Sequence, residues 1–308
     1  MNLFHVISNF PFGYFARTAL RFSEPPSVAF WVHGAEKAFG LFRDGKNVSF
    51  DANLERRAGA PTLLAPPAVK TPFRREVLAQ KRVARDGRML FVVEHAEAIV
   101  ALVQTRKLSL KSVADLRATP VDTLIPLTAP ADSYLWEMLG TDFEKLGSSG
   151  PVPESLILVG LPNKVCWWAE KWVETLECML LNLVPSLLAE LVWCRDRMLP
   201  FVVLVGSTQS HLAVYQKGRL HLLARLPGEA GLSGVLLEPM IEEIRMELRI
   251  EPSPLGIYHR TASPAQLEPL VGRFREPVMI LAPHVGHPCP ADYPVAAAVL
   301  NTLLEVSL

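Results

Sequence analysis

The sequence predicts an α/β fold in which one unit is built twice. Three observations carry this. Residues 201–205, Phe-Val-Val-Leu-Val, are a short and fully apolar run, as in a strand buried on both faces. Gly206, Ser207, Thr208 and Gln209 break it, 211–215 resumes an extended pattern, Lys217-Gly218 supplies a hairpin turn, and 220–226 returns. The same order of strand, glycine turn, strand, turn and strand occurs at 28–50, where 28–32 runs into His33-Gly34-Ala35-Glu36-Lys37, 38–43 follows, Asp44-Gly45 turns, and 47–50 closes. The residues differ between the two stretches, so the repeat is one of architecture. Strands and helical periodicities then alternate through the second half, which argues a sheet covered by helices.

In chain order, residues 1–26 come first, with six aromatic residues from Phe4 to Phe22 and few charges. Such an arm either packs on the body or docks on a partner or membrane surface. Residues 51–72 are loop-like and broken by prolines, 73–85 is a short helix, and 89–93 and 98–102 are strands. Residues 112–117 are helical, 124–127 a short extended piece, and 147–153 a Gly/Ser/Pro linker. Asp115, Asp122, Asp132 and Glu137 read as caps and solvated loops. The continuous run at 155–161 is a buried strand. Asn163 opens a long helix whose apolar stripe runs to Leu183 and ends at Pro185, with Trp167, Trp168 and Trp172 as core filler against a sheet. A helix at 185–194 follows. Leu237, Ile241, Ile244 and Leu248 form one face of a helix at 236–248. Residues 255–258 are a strand, 264–274 a helix, 278–281 a strand and 293–304 a closing apolar helix.

Composition narrows the function classes. Half of the 308 residues are hydrophobic, and 31 Lys plus Arg balance 31 Asp plus Glu. That balance points to neither nucleic acid nor an anionic lipid surface. The four cysteines form no C-x-x-C pair, which reads as buried reduced thiols in a cytoplasmic setting. No run of about 18 apolar residues is present, so no transmembrane helix is expected, and the N-terminus lacks the pattern of a signal peptide. G-x-S-x-G, G-x-x-x-x-G-K and H-E-x-x-H are absent. His284, His287 and Cys289 in PHVGHPCP are spaced as two or three zinc ligands, with no fourth nearby.

In their order and spacing, several stretches resemble the actin-like ATPases, and among them the PilM and GspL branch, to which FtsA is a cousin. VAFWVHGAEKAFGLFRDGK is similar to a first phosphate hairpin and FVVLVGSTQSHLAVYQKGRLHLLARLPG to a second. RMLFVVEHAEAIVALVQTRKLSL through TLIPLTAPADSYLWEMLG resembles the small subdomain inserted in that branch. ESLILVGLPNKVCWWAEKWVETL, IEEIRMELRIEPSPLGIYHR and DYPVAAAVLNTLL resemble the strand, helices and closing helix that follow. The resemblance implies an actin-like (ribonuclease H-like) duplicated fold with two lobes and a small inserted subdomain. Its parts would be an aromatic arm at 1–26, a first lobe at 27–195 with the insertion at about 87–150, and a second lobe at 196–308.

The same resemblance exposes a departure. The family's phosphate turns read Asp-x-Gly, the aspartate serving Mg²⁺ and the glycine admitting phosphate to the backbone. Here they read Val32-His33-Gly34 and Leu204-Val205-Gly206. Both glycines remain and both carboxylates are gone, and an apolar side chain offers magnesium no oxygen. The Gly-Gly expected under an adenine is replaced at Ile257-Tyr258-His259-Arg260-Thr261. Gly34, Lys37, Gly206, Ser207 and Thr208 are therefore vestigial phosphate turns. They are either a residual ATP-binding cradle of backbone amides or hairpin corners kept for shape. No cofactor and no catalysis are expected.

By resemblance the protein is a scaffold of a type IV pilus or type II secretion platform, at the cytoplasmic face of the inner membrane. Its partner would be the tail of a PilN-type inner-membrane protein, held in a groove lined from about 28–50 and 89–127, with the assembly ATPase as a possible second contact. The rival readings are an actin-fold enzyme or nucleotide-binding protein with an altered ATP site, and the cytoplasmic part of GspL cut before its membrane span.

Overall fold

The computed structural model describes residues 28–33, 37–44, 47–51, 88–108, 110–147, 149–176, 179–206, 208–259 and 267–281, with side chains described from Leu90 onward apart from Lys107 and 171–182. The aromatic arm, the 51–72 loop, the helix expected at 73–85, the closing helix at 293–304 and the PHVGHPCP stretch lie outside the described residues.

Two five-stranded sheets share one topology. The first contains β1 (Val28–His33), β2 (Lys37–Asp44), β3 (Asn47–Asp51), β4 (Arg88–Glu94) and β8 (Met179–Pro185) in the order β3-β2-β1-β4-β8. The second contains β9 (Phe201–Val205), β10 (Gln209–Gln216), β11 (Arg219–Pro227), β12 (Leu255–His259) and β13 (Val278–Ile280) in the order β11-β10-β9-β12-β13. In each, the first three strands are an antiparallel meander, and the next two add in parallel to the other side of the first strand. The repeat read from 28–50 and 201–226 thus extends over both whole sheets. The chain separates into two compact units, residues 1–189 with 300–308, and residues 190–299.

Between the halves of the first sheet the chain makes a third, antiparallel sheet from β5 (Ile99–Gln104), β6 (Tyr134–Gly140) and β7 (Ser155–Pro162), in the order β5-β7-β6. Its core gathers Val103, Tyr134, Trp136, Met138, Leu156 and Leu158 with Leu116 from α1 (Val113–Ala118). β7 lies between the other two strands, and seven of its eight residues are buried, as its unbroken hydrophobic text requires. Helix α1 starts with a reciprocal cap: Ser112 Oγ accepts from the Asp115 amide, and the Asp115 carboxylate accepts from the Ser112 amide.

Several expectations need correction. The long helix from Asn163 stops at Leu176 as α2 (Asn163–Leu176), and Met179–Pro185 is strand β8. A run such as Met-Leu-Leu-Asn-Leu-Val suits a buried strand as well as a helix. Parallel pairing with β4, which sets Leu183 opposite Phe91, settles it as a strand. Residues 124–127 are not extended; a 3₁₀ turn at Val121–Thr123 leads into irregular chain. Glu137 lies not in a loop but within β6. Of the tryptophans, Trp168 is buried and meets Phe91 edge-on at 5.6 Å, whereas Trp167 is 47% exposed; the Trp172 side chain lies outside the described residues. The helix expected at 264–274 is, among the described residues, the single turn α5 (Glu268–Val271).

The second sheet is covered as its text predicts. Helix α4 (Gly234–Leu248) lays Leu237, Ile241, Ile244 and Leu248 against Phe201, Val203 and Val205 of β9 and Leu255 and Ile257 of β12. From α3 (Ser186–Arg195), Trp193 packs on Tyr258 at 5.3 Å between ring centroids, and the Leu191 carbonyl accepts from Tyr215 Oη at 2.8 Å. Cys166 and Cys194 are buried thiols; burial pushes Cys166 up to about 12 and raises Cys194 as well, so neither is a nucleophile at neutral pH. No helix among the described residues is long and apolar enough to cross a membrane.

Candidate functional site

Open α/β sheets receive ligands at the carboxyl ends of their parallel strands, where the connections leave in opposite directions. In the second sheet that place is the end of β9 beside the end of β12. β9 turns into β10 on one side, β12 leads to β13 on the other, and Val205 lies opposite His259 in the ladder.

Gly206 follows β9 directly. Its amide donates to Ser210 Oγ at 3.3 Å, and its carbonyl accepts from the Glu229 amide at 3.0 Å. A Cβ built on Gly206 would fall inside the van der Waals envelope of the Gln209 carbonyl oxygen. The tightness of this turn therefore accounts for the glycine, whatever else the turn does. Thr208 is exposed and Ser210 fully buried. Gln209 Nε2 and His211 Nε2 stand 2.8 Å apart. Leu204, in the position where the resemblance places a carboxylate, is a buried strand residue, as is its neighbour Val205. Ser207 lies outside the described residues.

Tertiary structure joins His259 to two residues that no motif had marked, Glu229 and Arg273. His259, 6% exposed, places Nε2 3.3 Å from Glu229 Oε2. Arg273 Nη1 donates to the carbonyls of Glu229 at 2.8 Å and Leu232 at 3.3 Å. The Pro227-Gly228-Glu229-Ala230-Gly231 text signals a turn, but nothing local says that it crosses the end of a neighbouring strand. His259, at a position where the resemblance expected Gly-Gly, is a buried and partnered histidine.

In the first sheet the equivalent strand β1 ends at His33, opposite Glu94 of β4 and Lys37 of β2. Gly34 and the Lys37 side chain lie outside the described residues. Just beyond β4, His95 Nδ1 accepts from the Glu97 amide at 3.1 Å, and Lys164 Nζ pairs with Glu97 at 2.8 Å. Burial, then the Lys164 charge, holds His95 below the usual imidazole range. Among the described residues no group of three or more His, Cys, Asp or Glu is placed to hold a metal ion.

No family model and no curated protein sequence matches the chain. Solved structures do. The chain is similar to a chain of the PilM-PilN type IV pilus biogenesis complex, with 11% identity and a TM-score of 0.53, covering 92% of this chain and 99% of that one. Weaker likenesses include a Bacteroides thetaiotaomicron protein of unknown function with an actin-like ATPase fold (9% identity, TM-score 0.45, 91% of this chain and 96% of that one). Another is the cytoplasmic domain of EpsL, an inner-membrane component of the Vibrio cholerae type II secretion system (8% identity, TM-score 0.45, 91% and 95%). With its doubled β-meander-plus-two topology, the chain has the actin-like α/β fold, in the form also seen in the PilM-PilN complex.

Proposed function

We propose that this protein is a non-catalytic cytoplasmic scaffold of a type IV pilus or type II secretion assembly platform, and that it holds the cytoplasmic tail of a PilN-type inner-membrane protein. The observation that carries the proposal is the near end-to-end fold match to a chain of the PilM-PilN complex. The apolar Val32 and Leu204, standing where the resemblance places the aspartates of the two turns, support the non-catalytic part, since Mg²⁺-assisted phosphoryl chemistry needs oxygen ligands there. So does the engagement of the Gly206 amide by Ser210 Oγ, because an amide already bonded inside the fold is not offered to a phosphate. The protein reaches the membrane through its partner, and contact with the assembly ATPase is the second part of the same proposal.

Two measurements test it. Isothermal titration with a synthetic peptide of the tail of the PilN-type protein from the same genome is expected to show saturable 1:1 binding. A thermal-shift titration with ATP and Mg²⁺ is expected to leave Tm unchanged, because any ligand that prefers the folded state raises it. A tail peptide that does not bind removes the scaffold reading. A saturable shift with ATP and Mg²⁺ would favour an actin-fold enzyme instead.

A further inference from the structure

The end of β9 and the end of β12 flank the place where an open sheet takes its ligand. Among the described residues, Glu229 spans that place. The Glu229 amide donates to the carbonyl of Gly206, at the end of β9, and the Glu229 carboxylate meets His259, the last residue of β12. Arg273 fastens the same turn by donating to the Glu229 and Leu232 carbonyls, while the Arg273 carbonyl accepts from the Gly234 amide at 3.1 Å. Leu232, 2% exposed, anchors the end of the turn in the core beneath α4.

The turn is built to lie there. A Cβ at Gly231 would stand 2.8 Å from Pro227 Cβ, and one at Gly234 would stand 2.6 Å from the Arg273 carbonyl oxygen. Both glycines allow approaches that side chains would block. What the turn brings to the strand ends is itself a carboxylate, set against an imidazole, while the Arg273 guanidinium holds the backbone of the same turn.

We propose that residues 228–232 are a built-in occupant of the crevice at the carboxyl ends of β9 and β12, with Glu229 as an internal anion that keeps phosphate-bearing ligands out. The inference deepens the reading of this protein as one without nucleotide chemistry and rests on it. The turn then occupies the strand ends, in addition to Leu204 standing where the resemblance places a carboxylate. His259 and Arg273 are the groups that an external anion would meet if Glu229 were removed.

The test is a thermal-shift titration of the full chain with inorganic pyrophosphate, comparing wild type with Glu229→Ala and Glu229→Gln. Wild type is expected to show no shift. Glu229→Ala is expected to gain a saturable shift, with affinity raised by about tenfold or more because a like charge at contact distance is lost. Adding Arg273→Met should abolish that gain. Glu229→Gln keeps a hydrogen-bonding partner for His259 and should gain less. The proposal is overturned if wild type binds pyrophosphate as tightly as the variants, or if folded variants gain nothing. Should Glu229→Ala fail to fold, Glu229→Gln and hydrogen exchange on wild type decide: a Glu229 amide exchanging as fast as open loop also overturns it. Tail-peptide binding is measured on the same proteins. Pyrophosphate gain without tail binding sinks the scaffold reading alone, and tail binding without pyrophosphate gain sinks the plug alone.

Discussion

At Gly206 the backbone of one turn leaves no room for a methyl group, because the Gln209 carbonyl oxygen already occupies the space. Gly206→Ala is therefore expected to destabilise the protein by about 1–3 kcal/mol, the usual cost of forcing extra volume into a packed site. Urea unfolding should show a lower midpoint at unchanged slope, and an unchanged midpoint would mean that the turn has room for a methyl group. His95 makes a different prediction. Its folded pKa lies below the ordinary imidazole value of 6.5, because burial and Lys164 disfavour the charged ring. On acidification the unfolded chain takes up a proton first, so this group's contribution to stability is complete above the ordinary imidazole range. It declines as pH falls through that range toward the lower folded value. Replacing His95 with Gln should flatten that part of the stability profile. A profile identical to wild type between pH 7 and about pH 5 would refute the assignment.

Among the elements, the β10–β11 hairpin depends on its corner. Lys217 and Gly218 both have positive φ, 52° and 74°, as the tight two-residue turn demands. Gly218→Ala should cost about 1–2 kcal/mol, since alanine resists the left-handed region, and thermal unfolding should show Tm lowered by a few degrees. Strand β8 can be checked through Leu183, fully buried and paired across from Phe91. Truncation to alanine is expected to cost about 2–5 kcal/mol; a near-neutral result would argue that 179–185 is not the strand that closes the first sheet. The small sheet has its own signature in Gly160, where a Cβ would run into the ring of Trp136 across the β6–β7 ladder. The indole can lie over the neighbouring strand only because that position is glycine.

For the molecule as a whole, metal dependence is the informative question. The scaffold reading needs no ion, so exhaustive dialysis against EDTA is expected to leave Tm unchanged. A fall of several degrees, restored by zinc, would show that a metal contributes to folding. His284, His287 and Cys289 would then be the first ligands to replace. The two five-stranded sheets, each with the same order and the same polarity, are the strongest large-scale feature. A duplicated meander with two parallel additions places the carboxyl ends of the first and fourth strands of each repeat side by side. The second repeat has used that place for a turn held by Glu229, His259 and Arg273.

Much of this was legible in the text. Strands that are apolar throughout, such as 201–205 and 155–161, and helices with a clear stripe, such as that ending at Leu248, follow from local periodicity, as does the Lys217-Gly218 corner. The loss of carboxylates at Val32 and Leu204 is also a fact of sequence. The apolar run at 179–185 carries no period of its own, so only a partner strand made it a strand. β6 was hidden because Asp132 and Glu137 read as solvated loop, while its strand character comes from Tyr134, Trp136 and Met138 facing a core assembled from distant segments. The Glu229–His259 contact joins residues 30 apart that lie on different elements. Periodicity and propensity act over a few residues, whereas pairing across a sheet edge exists only once the chain has folded, and so that contact belonged to tertiary structure alone.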